Sequence, residues 1–194
     1  EIIGTKAKNE LVKRKYNKAM FDSEFERFLA NNIYPHSFYE LLSFYKMKFE
    51  YNSYLVLILS VNDIDTTKWQ FTEDNITEER LVELAIQNIY EEVLGEEYES
   101  INMMLDESMM LSVLGTDITQ KQEIKDSLVS KLTFARKFTQ KHAGIEYHVF
   151  VSDIFENLPG VREAYKQARE VYALSLSSQE GILFYTDTFS KNNE

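Results

Sequence analysis

The sequence predicts a mixed α+β fold, in which helices flank a mixed β-sheet in a ferredoxin-like arrangement. Only six glycines and two prolines occur in 194 residues, which argues against a turn-rich β-sandwich and for long helices and strands. A continuous apolar segment, residues 54–61, has the pattern of a central strand covered on both faces. Segments with helical and strand patterns then alternate along the chain, as such a sheet with packed helices requires.

We expect two parts: an N-terminal helical extension over residues 1–50 and a domain over residues 51–190. Six of the 21 basic residues lie in the first 18 positions, and we interpret them as a solvated linker helix. The alternative is a basic helix beside the inner face of a membrane, following a transmembrane helix. The six residues are Lys6, Lys8, Lys13, Arg14, Lys15 and Lys18.

Two short helices are expected in the rest of the extension. Ser23 and Glu26 have the spacing of a capping box, which predicts that a second helix begins at Ser23. After the break at Pro35, apolar residues again repeat at helical spacing, which predicts another helix. These residues are Phe38, Leu41, Leu42 and Tyr45.

The domain is predicted to continue with a helix that Thr77 caps and Gly95 ends. A β-hairpin follows, with arms over 101–105 and 109–114 and a turn at 106–108. The next helix ends near Gly144 and has an apolar face made by Ile124, Leu128, Leu132, Ala135 and Phe138. The last predicted elements are a strand at 147–152, a helix opened by Pro159-Gly160 and a strand at 181–185.

Several passages, taken in this order, resemble a known family of domains. They are Val61-Asn62-Asp63 after the first strand, the hairpin around Asp106-Glu107, the strand His148-Val149-Phe150-Val151-Ser152, the helix Ala164-Tyr165-Lys166-Gln167-Ala168 and the closing Ile182-Leu183-Phe184-Tyr185-Thr186-Asp187. From about Tyr54 to Asp187 the chain resembles the degenerate GGDEF-type, nucleotide-cyclase-like domain of bacterial AraC-type transcriptional regulators. The resemblance implies a cytoplasmic, non-catalytic module that relays signals and forms a homodimer in transcription regulation.

The same resemblance implies neighbours beyond this chain. The chain begins at Glu1 without a methionine and ends soon after a strand-like segment, so we expect a fragment of a larger protein. DNA would be bound only by a helix-turn-helix part that the fragment lacks, and a membrane or receiver domain would lie upstream. Direct nucleic-acid binding by this fragment is not expected, because its net charge of -11 repels a phosphate backbone.

Catalysis is not expected, because the hairpin has lost the glycines of active relatives. Met104 and Leu105 stand in their places, and a side chain there fills the space that a phosphate would need. We therefore predict no catalytic residue, no cofactor and no metal site. The residues that would hold divalent ions, if any did, are Asp63, Asp65, Asp106 and Glu107. The alternatives are a divergent diguanylate-cyclase-like enzyme and a domain that binds a nucleotide or another small ligand.

Other residue types support neither a thiolate nor a zinc site. The chain has no cysteine and only three isolated histidines, at positions 36, 142 and 148. His148 and Ser152 on one strand would be about 13 Å apart, too far for a hydrogen bond, so we expect structural roles for both. The methionines of the hairpin are interpreted as core residues, with a partner-binding patch as the alternative. Trp69 is interpreted as folding back onto the sheet edge, with a partner anchor as the alternative.

Overall fold

The protein is described by a computed structural model that covers residues 18–30, 38–68, 78–174 and 181–190. The chain divides into two compact units, Glu1–Phe49 and Glu50–Glu194. The predictions on the basic residues before Lys18, the break at Pro35, the loop with Trp69 and the cap at Thr77 lie outside the described residues. Within the described part of the chain, no helix is long and apolar enough to cross a membrane.

The first unit contains helix α1, described over residues 18–30, and helix α2, Phe38–Phe44. The predicted helix start at Ser23 is wrong, because Ser23 lies inside a continuous α1. The aromatic residues explain the continuity: the Phe21 and Phe25 rings stack with centroids 5.6 Å apart, across the predicted boundary. The Phe21 ring also contacts Tyr45 edge to face at 5.2 Å, and this tertiary contact stabilises the turn before Ser23.

The second unit contains one five-stranded mixed sheet with the order β2-β3-β1-β4-β5. The strands are β1 (Ser53–Ile64), β2 (Glu99–Asp106), β3 (Met109–Thr116), β4 (Ile145–Val151) and β5 (Ile182–Phe184). β1 pairs antiparallel with β3 and β4, β2 pairs antiparallel with β3, and β5 adds parallel to β4. The first four strands, with a helix after β1 and another after β3, form the βαββαβ order of ferredoxin-like folds. The predicted α+β class and the central position of the apolar strand are confirmed.

Helices cover the sheet as the apolar patterns require. α3 (Glu78–Leu94) and α4 (Lys121–Ala143) pack on the face that carries Leu55, Leu57 and Leu59 of β1. α5 (Val161–Leu174) packs on β1 and β4 from the opposite face, where the Tyr172 ring meets Phe150 edge to face at 5.3 Å. The predicted hairpin is confirmed, with its turn reduced to Glu107 and Ser108.

Two features of the helices differ from the predictions. The sequence pattern predicts Phe138 on the apolar face of α4, but its side chain is 41% exposed and Thr139 lies in the core instead. Thr139 tolerates burial because its Oγ1 donates a hydrogen bond of 2.7 Å to the carbonyl of Ala135. A short helix that the sequence did not predict, α6 (Tyr185–Ser190), follows β5 directly.

Candidate functional site

The hairpin tip, where a cyclase would bind phosphate, is closed by its own hydrogen bonds. The Oδ1 atom of Asp106 accepts from the backbone N–H of Ser108 at 2.8 Å and from the Ser108 hydroxyl at 3.0 Å. The carbonyl of Ser108 in turn accepts from the N–H of Val61 at 2.8 Å, which attaches the tip to β1. Asp106 thus forms an Asx turn in a hairpin with only two turn residues.

Of the two acidic residues at the end of β1, Asp65 is engaged in local structure and Asp63 is not seen to be. Asp65 accepts at Oδ1 from the N–H of Thr67 at 3.2 Å and from its hydroxyl at 2.5 Å. The N–H of Asp65 donates to the carbonyl of Gly144 at 2.8 Å, so the loop is tied to the start of β4. Asp63 lies opposite Glu146 across the β1–β4 pair, and its side chain is exposed.

The structure brings the hairpin tip near the end of β1, where the N–H of Val61 donates to the carbonyl of Ser108. The four candidate residues Asp63, Asp65, Asp106 and Glu107 are all exposed. Among the described residues, no group of three or more His, Cys, Asp or Glu side chains is placed to hold a metal ion. The candidate residues therefore do not converge on a shared ion position.

Side chains occupy the strand end where the resemblance would place glycines. Met104 is half-buried and packs against the core cluster beneath α3 and α4. Leu105 is half-buried at a register shift between Met104 and Asp106, the mark of a β-bulge. The interpretation of the hairpin methionines as core residues is confirmed for Met103, Met109 and Met110, which are at least nine-tenths buried.

The sequence predicts structural roles for both His148 and Ser152, and the hydrogen bonds of Ser152 show such a role for that residue. The buried Ser152 hydroxyl accepts from the N–H of Val56 at 2.9 Å and donates to the carbonyl of Asp153 at 2.7 Å. His148 is half-buried, with its ring edge to face against Phe150 at 6.3 Å. Burial, together with the nearby Arg136 charge, lowers the pKa of His148.

An acidic groove, which no sequence pattern predicts, lies at the opposite end of the sheet. It has a volume of about 870 Å³ and lies where α3 ends, β2 begins, β3 ends and α4 begins. Six carboxylate residues line it: Glu91, Glu96, Glu97, Glu99, Asp117 and Glu123. They are spread over more than 30 positions of the sequence, which is why no local motif indicated the groove.

The groove is electrostatically suited to cations and unsuited to phosphates. Tyr51 donates a hydrogen bond to Glu99, and this bond raises the pKa of Tyr51 to about 12. The Nζ atom of Lys131 lies 3.7 Å from Glu97 Oε1 and neutralises part of the negative charge. Burial raises the pKa of Tyr98, whose hydroxyl donates to the carbonyl of Ile124 at 3.3 Å. These tyrosines thus serve as neutral donors in the wall of the groove.

Comparison of the sequence with protein-family models and with curated proteins gives no match.

Proposed function

We propose that this chain is a non-catalytic signal-relay and dimerisation domain of an AraC-type transcriptional regulator in the cytoplasm. It acts by shifting the relative placement of two DNA-binding domains in a homodimer. The observation that carries the proposal is the hairpin tip: Asp106 accepts two hydrogen bonds from Ser108, and the half-buried Met104 packs against the core. A ferredoxin-like scaffold with its turn closed in this way supports a role in contacts rather than in chemistry.

The hairpin tip disfavours catalysis for a definite chemical reason. A two-ion phosphoryl-transfer site needs carboxylate oxygens that can turn toward divalent ions. Oδ1 of Asp106 already accepts two hydrogen bonds, so an ion bound at that oxygen would compete with the bonds that close the turn. Phosphates would also need close approach to the backbone, which glycine permits best because it has no Cβ, whereas positions 104 and 105 carry a methionine and a leucine.

Nucleotide binding by the purified chain tests the proposal against a divergent cyclase. Calorimetry with GTP and Mg²⁺, together with chromatography of the reaction products, should show neither tight binding nor turnover. Mg²⁺-dependent turnover would overturn the proposal if Asp63→Ala or Asp106→Ala abolishes it while circular dichroism stays unchanged. Glu170→Ala, which removes an exposed carboxylate on α5, is the matched control and should have no effect in either case.

The regulator assignment has a separate test in the gene. On this proposal, two helix-turn-helix motifs with a basic surface are encoded downstream of Glu194, and a transmembrane helix or receiver domain is encoded upstream. Sequencing the gene on both sides should reveal them. A stop codon directly after the codon for Glu194 would overturn the assignment to AraC-type regulators, whatever the result of the nucleotide experiment.

A further inference from the structure

The exposed face of α4 carries opposite charges toward its two ends. Asp126 lies in the first part of the helix and Lys137 in the second, and both are exposed. At about 100° per residue, eleven positions bring the two side chains to within about 20° of one line along the helix. The rise of about 1.5 Å per residue separates them by about 16 Å along that line. The face is therefore acidic at one end and basic at the other.

Small and apolar side chains lie between these charges. Ser130 and Thr133 fall close to the same line, at the middle of the helix. Val129 borders it on one side and is 41% exposed, and Phe134 borders it on the other and is 58% exposed. The Phe134 ring contacts that of Phe138, itself 41% exposed, at 5.9 Å. Adjacent exposed phenylalanines on a charged surface are typical of a contact face.

We propose that this face of α4 pairs antiparallel with the same face of a second copy of the chain. The midpoint between Asp126 and Lys137 is also the midpoint between Ser130 and Thr133. A two-fold axis through that point places Asp126 of each copy opposite Lys137 of the other, and Ser130 opposite Thr133. The small side chains at the crossing let the helices approach, and the Phe134 side chains of both copies come to the same side of the contact.

The charge pattern decides both the occupant and the orientation. The whole chain carries a net charge of -11, so most surfaces of two copies repel each other, whereas this face is complementary to itself. A parallel pair would place Asp126 against Asp126 and Lys137 against Lys137, and this repulsion disfavours it relative to the antiparallel pair. One helix face per copy is at the low end of the size of specific interfaces, so we expect a weak dimer. This inference names the surface for the proposed dimerisation and rests on the proposed function to that extent.

A charge-exchange experiment on the full chain tests the pairing. Asp126→Lys and Lys137→Glu should each raise the dissociation constant of the homodimer about tenfold or more, because each places like charges at both symmetry-related contacts. An equimolar mixture of the two variants should form a heterodimer with the affinity of the wild type, because both contacts are then attractive. Sedimentation equilibrium measures the affinities, and native mass spectrometry identifies the mixed species.

Matched controls separate this surface from general charge effects. Glu170→Lys and Arg169→Glu make the same charge changes on the exposed side of α5 and should leave association unchanged. A wild-type chain that stays monomeric at the highest soluble concentration would overturn the pairing and the proposed dimerisation together. A dimer insensitive to both α4 variants would overturn the pairing alone and leave the relay proposal standing. Absence of the mixed dimer, with both single variants impaired, would also overturn the antiparallel pairing.

Discussion

The Nζ atom of Lys125 lies 2.6 Å from Oδ1 of Asp187, and this ion pair attaches α6 to α4. The same ammonium group lies 5.1 Å from the centroid of the Phe184 ring, at the end of β5. Lys125 therefore contacts both the last strand and the helix that follows it. Because α4 also presents the face proposed to pair with a second copy, one helix connects the proposed dimer contact to α6.

Breaking this ion pair should increase the local opening of α6 while it lowers the free energy of unfolding of the whole domain only slightly. The pair is partly exposed, so Asp187→Asn should lower the free energy of unfolding by less than about 1 kcal/mol. Amide hydrogen exchange in residues 185–190 should nevertheless become faster, because α6 loses its ionic contact with α4. Glu163→Gln, which breaks the exposed pair with Lys166 on α5, is the control and should leave this exchange unchanged. Unaltered exchange in Asp187→Asn would contradict the role assigned to the pair.

Gly181 leaves room for the guanidinium group of Arg136. The Nε atom of Arg136 donates to the carbonyl of Tyr147 at 2.7 Å, and a Cβ at position 181 would come within 1.9 Å of Nη1. Gly181→Ala should therefore displace Arg136 and cost about 1.5 to 3 kcal/mol, the range for a hydrogen bond to a charged group. Urea unfolding of a double-mutant cycle measures the coupling. In an Arg136→Ala background the glycine substitution should cost little, and an equal cost in both backgrounds would refute the steric explanation.

Ser152 follows the last residue of β4 that pairs with β1, and its side chain provides a hydrogen bond to β1 at that point. Its hydroxyl accepts from the N–H of Val56, in a position that is 3% exposed. Ser152→Ala should leave that N–H buried without this partner and lower the free energy of unfolding by about 1 to 3 kcal/mol. Chemical denaturation provides the value. Ser130→Ala, at an exposed position, should change stability by less than about 0.5 kcal/mol, and a similarly small change in Ser152→Ala would contradict the prediction.

Alkaline pH should destabilise the fold through Tyr147. Burial raises the pKa of Tyr147 to about 12, above the value of about 10 in an unfolded chain. The folded state therefore holds the proton more tightly, and the stability from this group is fully present below pH 10 and is lost as the pH rises toward 12. The expected loss for one such group is about 1.4 kcal/mol per pH unit in this window. The free energy of unfolding of Tyr147→Phe, taken relative to its own value at pH 7, should fall less steeply with pH than that of the wild type. Parallel pH profiles of the two proteins would refute the assignment.

The regular elements of the second unit could be predicted because their signals are local. Each signal predicts structure within a few residues or helical turns of itself. Examples are the apolar run at the centre of β1, the stripe of Ile124, Leu128 and Leu132 on α4, and Gly144 after that helix. Gly144 adopts a φ of 68°, the left-handed conformation that ends α4 and that glycine reaches without strain. Hydrophobic periodicity reports which face is buried, and so it identified the elements and their types.

Local sequence signals were insufficient where the packing of side chains outweighed them. Ser23 has the spacing of a capping box, yet the ring contacts of Phe21 with Phe25 and Tyr45 keep the helix continuous through it. Phe138 is more apolar than Thr139, but the turn of α4 directs Thr139 into the core and leaves Phe138 exposed. In both cases the packing of the side chains, and not the local sequence preference, determined the structure.

The sequence by itself determined the α+β class, the central strand and the hairpin with Met104 and Leu105 before its turn, because each depends on residues close together in the chain. Only the tertiary structure decided that the hairpin tip is attached to β1 through Val61 and Ser108, that six carboxylates share one groove and that the side of α4 with Asp126 and Lys137 is left exposed. These relationships depend on strand order, helix orientation and side-chain direction, which arise when segments far apart in sequence pack against a common sheet.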